Sequence, residues 1–280
     1  MAGAKALTYA ATLGAAGAVF FLRYSHDLVA ESHAREIRRL IRVLLAASAL
    51  ASAAKILATS ASMSGGMSGL TDSGLLRMIL RGGEGWATLV RLVGLVLMLP
   101  TAGPPPPRAL LGSVVAATSF AWVGHVHSLA AAGPATSVLA LHLLGVAFWA
   151  GGLMPLLMVS RGRDVPRVAA IASRFGAVAL VVVAALIAAG ACLLCLVLQS
   201  VAEFWTSGYG RLVLAKLGLV LCLVSLAAFN RFKLTPRLRE GDARAVTALH
   251  TSIRFEIALA GAIFIVTSAM TTVTGPAALD

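Results

Sequence analysis

The residues with the richest coordination chemistry in this chain are three histidines. The run GHVHSL carries His125 and His127, and the run LHLLGVAFWAGGLMP opens just before His142. Neutral imidazole binds copper, zinc and haem iron, while thioether and thiolate sulfur select Cu(I). Met63 and Met67 lie four apart in the glycine-rich run SMSGGMSG and have the spacing of a capture pair for a soft metal. The plainer alternative there is a flexible loop with incidental methionines. Cys192 and Cys195 form a CLLC run one helical turn apart, where inert packing cysteines are the ordinary reading. Cys222 lies in a different apolar stretch, so the three are not expected to share one ion, and no disulfide framework can be read from them.

Charged residues inside apolar stretches add a second constraint. Lys55, Arg91 and Lys216 put positive charge where a metal cation would have to pass, and each needs a partner or an escape route. Lys55 can snorkel outward along its own stem. Arg91 is too near the centre of its segment for that, and it calls for helix carbonyls, a polar side chain or an anionic ligand. Glu256, with Asn230, Arg231 and Arg254 within reach, predicts a locking cluster at one end of the last apolar segment.

Long apolar helices must position these groups. Of the 280 residues, 59% are apolar and only 12% are charged, and mean hydropathy is +0.91. A soluble chain carries about 25% charged residues to cover its surface. The composition therefore predicts an all-α, polytopic integral membrane protein embedded in the lipid bilayer, with 1–280 as a single transmembrane domain. Stretches near 20 apolar residues mark eight segments, at about 6–22, 40–60, 85–100, 109–126, 136–158, 175–198, 211–230 and 255–274. The first resembles the core of a signal peptide but ends in Arg23 without a small-residue cleavage pattern, which predicts a retained helix.

The formal charge of +12 is dispersed in short clusters between apolar segments, a topology signal rather than a nucleic-acid surface. Arg23, Arg35, Arg38 and Arg39 fall in the first connection, Arg108 in the third, Arg161, Arg163 and Arg167 in the fifth, and Arg231, Lys233, Arg237, Arg239 and Arg244 in the seventh. The even connections hold only Arg77 and Arg81. The positive-inside rule then puts the odd loops in the cytoplasm and both termini in the periplasm.

On that topology His125 closes the fourth segment near its outer end, and His142 lies two turns into the fifth, with Lys216 at similar depth in the seventh. The short loop between the fourth and fifth segments makes them antiparallel neighbours and brings His125 and His142 to one level. His142, Gly145, Trp149 and Gly152 recur on one helical face, which predicts tight packing around the imidazole. His127 points to another face of a continuous helix. A lone buried histidine ordinarily satisfies a helix carbonyl, but two at matching depth predict an outer-side site. Two facing histidines also suit the axial positions of haem b, with Arg91, Lys55 or Lys216 pairing its propionates, so a transmembrane electron-transfer protein is the alternative function. No GxxxxGK[ST] phosphate loop occurs, so nucleotide hydrolysis is not expected and the chain reads as a non-enzyme.

The runs HLLGVAFWAGGLMPLL, Arg174 with Phe175, GYGRLVLAKLGLVLCLVSLAAFNRFKLTPRL and FEIALAGAIFIVTSAMTT resemble the copper resistance D family of bacterial inner-membrane proteins. The resemblance is carried by residues 84–280, most specifically by YGRLVLAKLGL through FNRFKLTP, and little of it lies in 1–83. It implies copper movement or copper handling at the inner membrane, often beside a small periplasmic copper-binding protein of the copper resistance C type, here supplied in trans. On the family's pattern of polar and aromatic positions His125, His142, Trp149, Arg91, Lys216, Asn230 and Glu256 match. The function expected is copper uptake from the periplasm. A membrane receptor that accepts copper for delivery to an oxidase is a third reading.

Overall fold

The computed structural model describes residues 2–123, 132–162, 164–197 and 203–271. His125 and His127 lie outside the described residues. All regular structure among the described residues is helical, as a chain in hydrocarbon requires, because a helix satisfies its backbone hydrogen bonds within one segment. In chain order the helices are α1 (Ala2–Ser25), α2 (Glu31–Ser64), α3 (Ser73–Arg81), α4 (Gly83–Leu97), α5 (Pro107–Thr118), α6 (Ala132–Val159), α7 (Val165–Val197), α8 (Glu203–Thr206), α9 (Gly208–Phe229), α10 (Thr235–Arg239) and α11 (Ala243–Met270).

Six of these elements are long and apolar enough to cross a membrane: α1, α2, α6, α7, the continuous run of α9 into α10, and α11. The segments that hydropathy marks as the third and fourth crossings form α4 and α5, of 15 and 12 residues. At 1.5 Å per residue they measure about 22 and 18 Å, short of a hydrocarbon core of about 30 Å. The prolines at 104–107 separate them, and a 3-10 turn over Ser119–Trp122 follows α5. Gly94 and Gly112 let the two backbones touch: a Cβ on Gly94 would lie 2.7 Å from the Ala116 nitrogen, and one on Gly112 2.6 Å from the Gly94 carbonyl oxygen. This hairpin of short helices packs through α5 against α1 and α6.

The N-terminal helix is the centre of the bundle. Of its apolar stretch 67% is buried, against 6% for α7 and 11% for α9, and it packs against α2, α5, α6 and α11. Its small residues make this possible: a Cβ on Gly17 would collide with the Ala147 carbonyl and the Gly151 backbone, and one on Gly151 with the Leu13 carbonyl. Small residues at crossings give membrane helices their close van der Waals contact where no hydrophobic force drives association. Between α1 and α2 the hydroxyls of Thr12 and Ser48 share a buried hydrogen bond of 2.6 Å.

The basic connections gather at one end. Arg174 on α7 donates to Asp27 and to the Tyr24 carbonyl in the α1–α2 turn, Arg239 donates to Ser173, and Ser160 at the end of α6 bonds His250 on α11. The hydrogen bond from Arg174 holds the Asp27 carboxyl below its ordinary range, and the one from Arg237 does the same for Asp242, the N-cap of α11. At the opposite end Lys5 donates to the Thr271 carbonyl at 3.0 Å, so the first and last helices bring the two ends of the chain to the same side. With the basic end cytoplasmic, a reporter active only in the cytoplasm is expected to be silent when fused after Asp280 and active when inserted between Arg239 and Arg244. Strong activity of the Asp280 fusion would invert the orientation.

Candidate functional site

Polar groups collect at three places in the described bundle. The first lies towards the end holding the termini, between α1, α2, α4 and α5. Arg91 on α4 is the largest fully buried side chain among the described residues, 1% exposed. Its Nε donates to Ser119 Oγ at 3.2 Å and its Nη1 to Ser52 Oγ at 3.4 Å. The guanidinium sits 4.0 Å from the centroid of the Phe120 ring, and the Tyr9 ring packs against Phe120 at 4.5 Å. Two hydroxyls and an aromatic face are the partners that the depth of Arg91 demands. Cation–π contact of this kind strengthens when desolvated.

Nearby, Lys55 on α2 donates to Glu84 Oε1 at 2.6 Å, with side chains 18% and 24% exposed. The expectation that Lys55 escapes to the interface is thereby corrected: it is held by a carboxylate. Glu84 is close enough for its charge to act on Lys5, Tyr9 and Arg91. A single carboxylate faces three cations here. Glu84 escapes a reading by hydropathy because it sits among glycines at the very start of α4, outside the apolar run. The signal that points to it is its level with Lys55 once the start of α4 is set beside α2.

The second place is the face of α6 turned to α7. His142 lies against the Leu186 backbone and within 3.8 Å of the position a Gly190 Cβ would take. Its Nδ1 is buried with no hydrogen-bond partner. One turn on, Gly145 admits Leu186, whose side chain would lie 2.9 Å from an added Cβ, and Gly152 admits the Phe175 ring at 2.6 Å. Trp149 on the same helix is 7% exposed, and Phe148 stacks on Phe175 at 5.5 Å. The close packing expected of this face is present. Lys216 on α9 is near enough for its charge to act on the His142 ring, and it forms no ion pair among the described residues.

The third place is at the basic end. Asn230 opens a π-helical turn over Asn230–Leu234 that joins α9 to α10. Such turns are rare and recur at functional sites. The Asn230 amide Nδ2 donates to Glu256 Oε1 at 2.6 Å, and the Asn230 carbonyl accepts from Thr235 Oγ1 at 2.8 Å. Glu256 and Asn230 are 3% and 8% exposed. Asn230 pairs with Glu256, as their sequence positions suggest. Arg254 and Arg231 form no ion pair with it among the described residues.

The sulfur groups stand apart from these places. Met63 falls in the last turn of α2 and Met67 opens the following 3-10 turn, on either side of Gly65, whose φ of +73° is the left-handed cap that ends α2. They are 53% and 77% exposed. The turn is not loose: Ser60 donates to the Gly69 carbonyl at 2.6 Å. Cys192, Cys195 and Cys222 are free and exposed on the helix surfaces, so the reading of Cys192 and Cys195 as packing cysteines inside the bundle is corrected. Among the described residues no three His, Cys, Asp or Glu side chains converge as a metal-binding group.

Comparison with known proteins adds the lineage. A family model described as Copper resistance protein D matches residues 169–270, and one described as Copper resistance protein D-like, N-terminal domain, matches residues 1–133. The chain is 29% identical over 136 residues to Inner membrane protein YebZ of Escherichia coli (strain K12), an alignment covering 48% of this chain and 47% of YebZ. It thus spans about half the length of that relative. No solved structure matches.

Proposed function

We propose that this chain, which belongs to the copper resistance D family of bacterial inner-membrane proteins, is a permease that carries copper from the periplasm inward. Its function is copper-related and it lies in the lipid bilayer, with α7 and α9 turned to lipid over most of their length. The observation that supports the permease reading best is His142, an imidazole inside the bundle whose buried Nδ1 has no partner. The ring bonds the Leu186 backbone, and the nitrogen it leaves open inside a membrane segment suits a transient soft or borderline metal. Met63 and Met67 stand exposed at the end of the bundle that carries the termini, where thioethers can accept Cu(I) from a periplasmic donor of the copper resistance C type by ligand exchange. His125 and His127, outside the described residues, are the further imidazoles that the sequence places near His142.

No hydrolytic step is involved in this reading, and copper moves down its own gradient or by exchange between ligands. The test is copper entry into proteoliposomes that hold a Cu(I)-chelating dye. Reconstituted protein is expected to raise dye colour well above protein-free vesicles, and His142→Ala to return it close to that background. Uptake equal to protein-free vesicles would overturn the permease reading.

A further inference from the structure

We infer that Glu256, Asn230 and Ser252 form a binding site for a hard monovalent cation, a proton or Na+, at the π-helical junction of α9 and α10. Two buried oxygen-bearing side chains, Asn230 and Glu256, meet there, a third, Ser252, lies one turn along α11 from Glu256, and together they lack enough partners. Glu256 accepts one hydrogen bond, from the Asn230 amide, and has no ion pair among the described residues. Asn230 Oδ1 and Ser252 Oγ are buried and unpartnered, on residues 8% and 7% exposed. Ser252 and Glu256 are four apart on α11 and so share one helical face. Asn230 comes to that face from the π turn.

Buried polar atoms that lack partners call for an explanation, often a water or an ion that completes them. A buried carboxylate without a cation beside it is the more expensive case, and it must either take a proton or hold a cation. The cations nearby do not supply one. Arg174, Arg237 and Arg239 are engaged by Asp27, Asp242 and Ser173, and His250 is engaged by Ser160. Arg23, Arg161, Lys233 and Arg254 are exposed, at the ends of α1 and α6, on the π turn and on α11. Arg231, next to Asn230, has its aliphatic stem against Gly176 on α7, and its buried Nε is itself without a partner.

The donor set decides the ligand class. Carboxylate, amide and hydroxyl oxygens suit hard ions, whereas Cu(I) prefers sulfur and imidazole, so this is not a second station for the cargo. Interrupted helix geometry beside a carboxylate is also how membrane transporters commonly seat coupling ions. A protonated Glu256 would donate its O–H to Asn230 Oδ1 or Ser252 Oγ, the two acceptors left free; Na+ would take the same oxygens. A groove of about 670 Å³ between α9 and α11, lined by Leu226, Phe229, Thr251, Ser252 and Phe255 and reaching Arg244, opens onto Ser252 from the basic end. Coupling of the bound cation to copper movement rests on the permease reading; the binding itself does not.

The test therefore begins without copper. Full-length protein in lipid nanodiscs is titrated from pH 5 to 9 by infrared difference spectroscopy, and 22Na binding is measured in parallel at fixed pH. Either a carboxylic acid C=O band that is absent from Glu256→Gln, or saturable Na+ binding that is absent from Glu256→Gln, is the expected result, and which arm responds identifies the ion. Ser252→Ala, a change small enough to fold, is expected to weaken proton or Na+ affinity about fivefold, read as a shifted titration midpoint or a raised Na+ dissociation constant, the loss of one hydrogen bond or ligand. A carboxylate ionised throughout with no Na+ binding, or an affinity unchanged in Ser252→Ala, would overturn the site. Proteoliposomes then separate the two readings. An imposed gradient of the bound ion is expected to drive copper uptake in the unaltered protein, while Glu256→Gln keeps downhill uptake and ignores the gradient. Absence of copper flux in every protein would refute the permease reading and leave the cation site standing.

Discussion

His142→Ala is expected to remove copper binding from the purified protein almost as completely as the double change His125→Ala with His142→Ala. A site with two imidazoles needs both to hold the ion, so the first loss takes most of the binding and the second finds little left to remove. Such strong non-additivity is the signature of residues that act on one ligand. Changes in outer-shell partners typically cost 10- to 100-fold in metal affinity; loss of a direct ligand is expected to cost more than about 100-fold. His127→Ala is expected to matter less, because a residue two places from His125 projects from another face of a continuous helix. Metal stoichiometry of the purified variants decides the case. Full occupancy in His142→Ala would sink the shared site and return His142 to an ordinary packing role against Leu186, while loss in His127→Ala alone would show that the helix ends before it.

The face that carries His142 is legible in the sequence, because Gly145, Trp149 and Gly152 repeat at helical spacing and a glycine on a membrane helix marks a close neighbour. The identity of that neighbour is not. That Leu186 and Phe175 of α7 fill the two glycine notches is a long-range fact, and periodicity within one segment carries no information about the segment opposite. The same reason hides the role of α1. Hydropathy marks about 6–22 as a membrane helix but cannot distinguish the central helix of a bundle from a peripheral one. Its run of alanines, Thr12 facing Ser48 and Gly17 meeting Gly151 are what put it at the centre. Conversely, α4 and α5 read as crossings because an apolar window registers hydropathy and not the length of unbroken helix, which is 15 and 12 residues here.

Charge is legible in kind and less so in pairing. Arg91 demands partners by its depth alone, and a polar side chain is among those its sequence context predicts; Ser52 and Ser119 come from elements on either side of it. Asn230 with Glu256 follows from the sequence because both fall at the same membrane level on the last two segments. Lys55 defeats the same reasoning, because snorkelling needs only the residue's own stem, whereas its real partner becomes visible only when the start of α4 lies beside α2. The exposed cysteines obey the same logic: apolar sequence around Cys192 and Cys195 means burial in a soluble protein and lipid contact in this one.

The pairing of Lys55 makes Glu84→Gln the substitution with the largest expected effect on stability. Among the described residues Glu84 is the carboxylate that faces Lys5, Lys55 and Arg91. Neutralising it leaves Lys5 and Lys55 facing one another and Arg91 without its nearby carboxylate in a poorly solvated region, and an uncompensated buried charge is costlier than a missing pair. Removing one partner of a fully buried pair costs about 3–5 kcal/mol. Lys55 and Glu84 keep 18% and 24% exposure, so water screens part of the loss and about 1–3 kcal/mol is expected. Lys55→Gln is expected to cost less, because it removes a cation and leaves Glu84 to face Lys5 and Arg91. The double change should then be more stable than Glu84→Gln alone, since it relieves the repulsion that the single change creates. Thermal unfolding of the three purified variants in one detergent measures this order. Equal destabilisation by the two single changes would show that Glu84 serves Lys55 alone and that Arg91 is held entirely by its hydroxyls and the Phe120 ring, while a double variant that simply adds their effects would show that Lys55 and Glu84 do not stabilise one another.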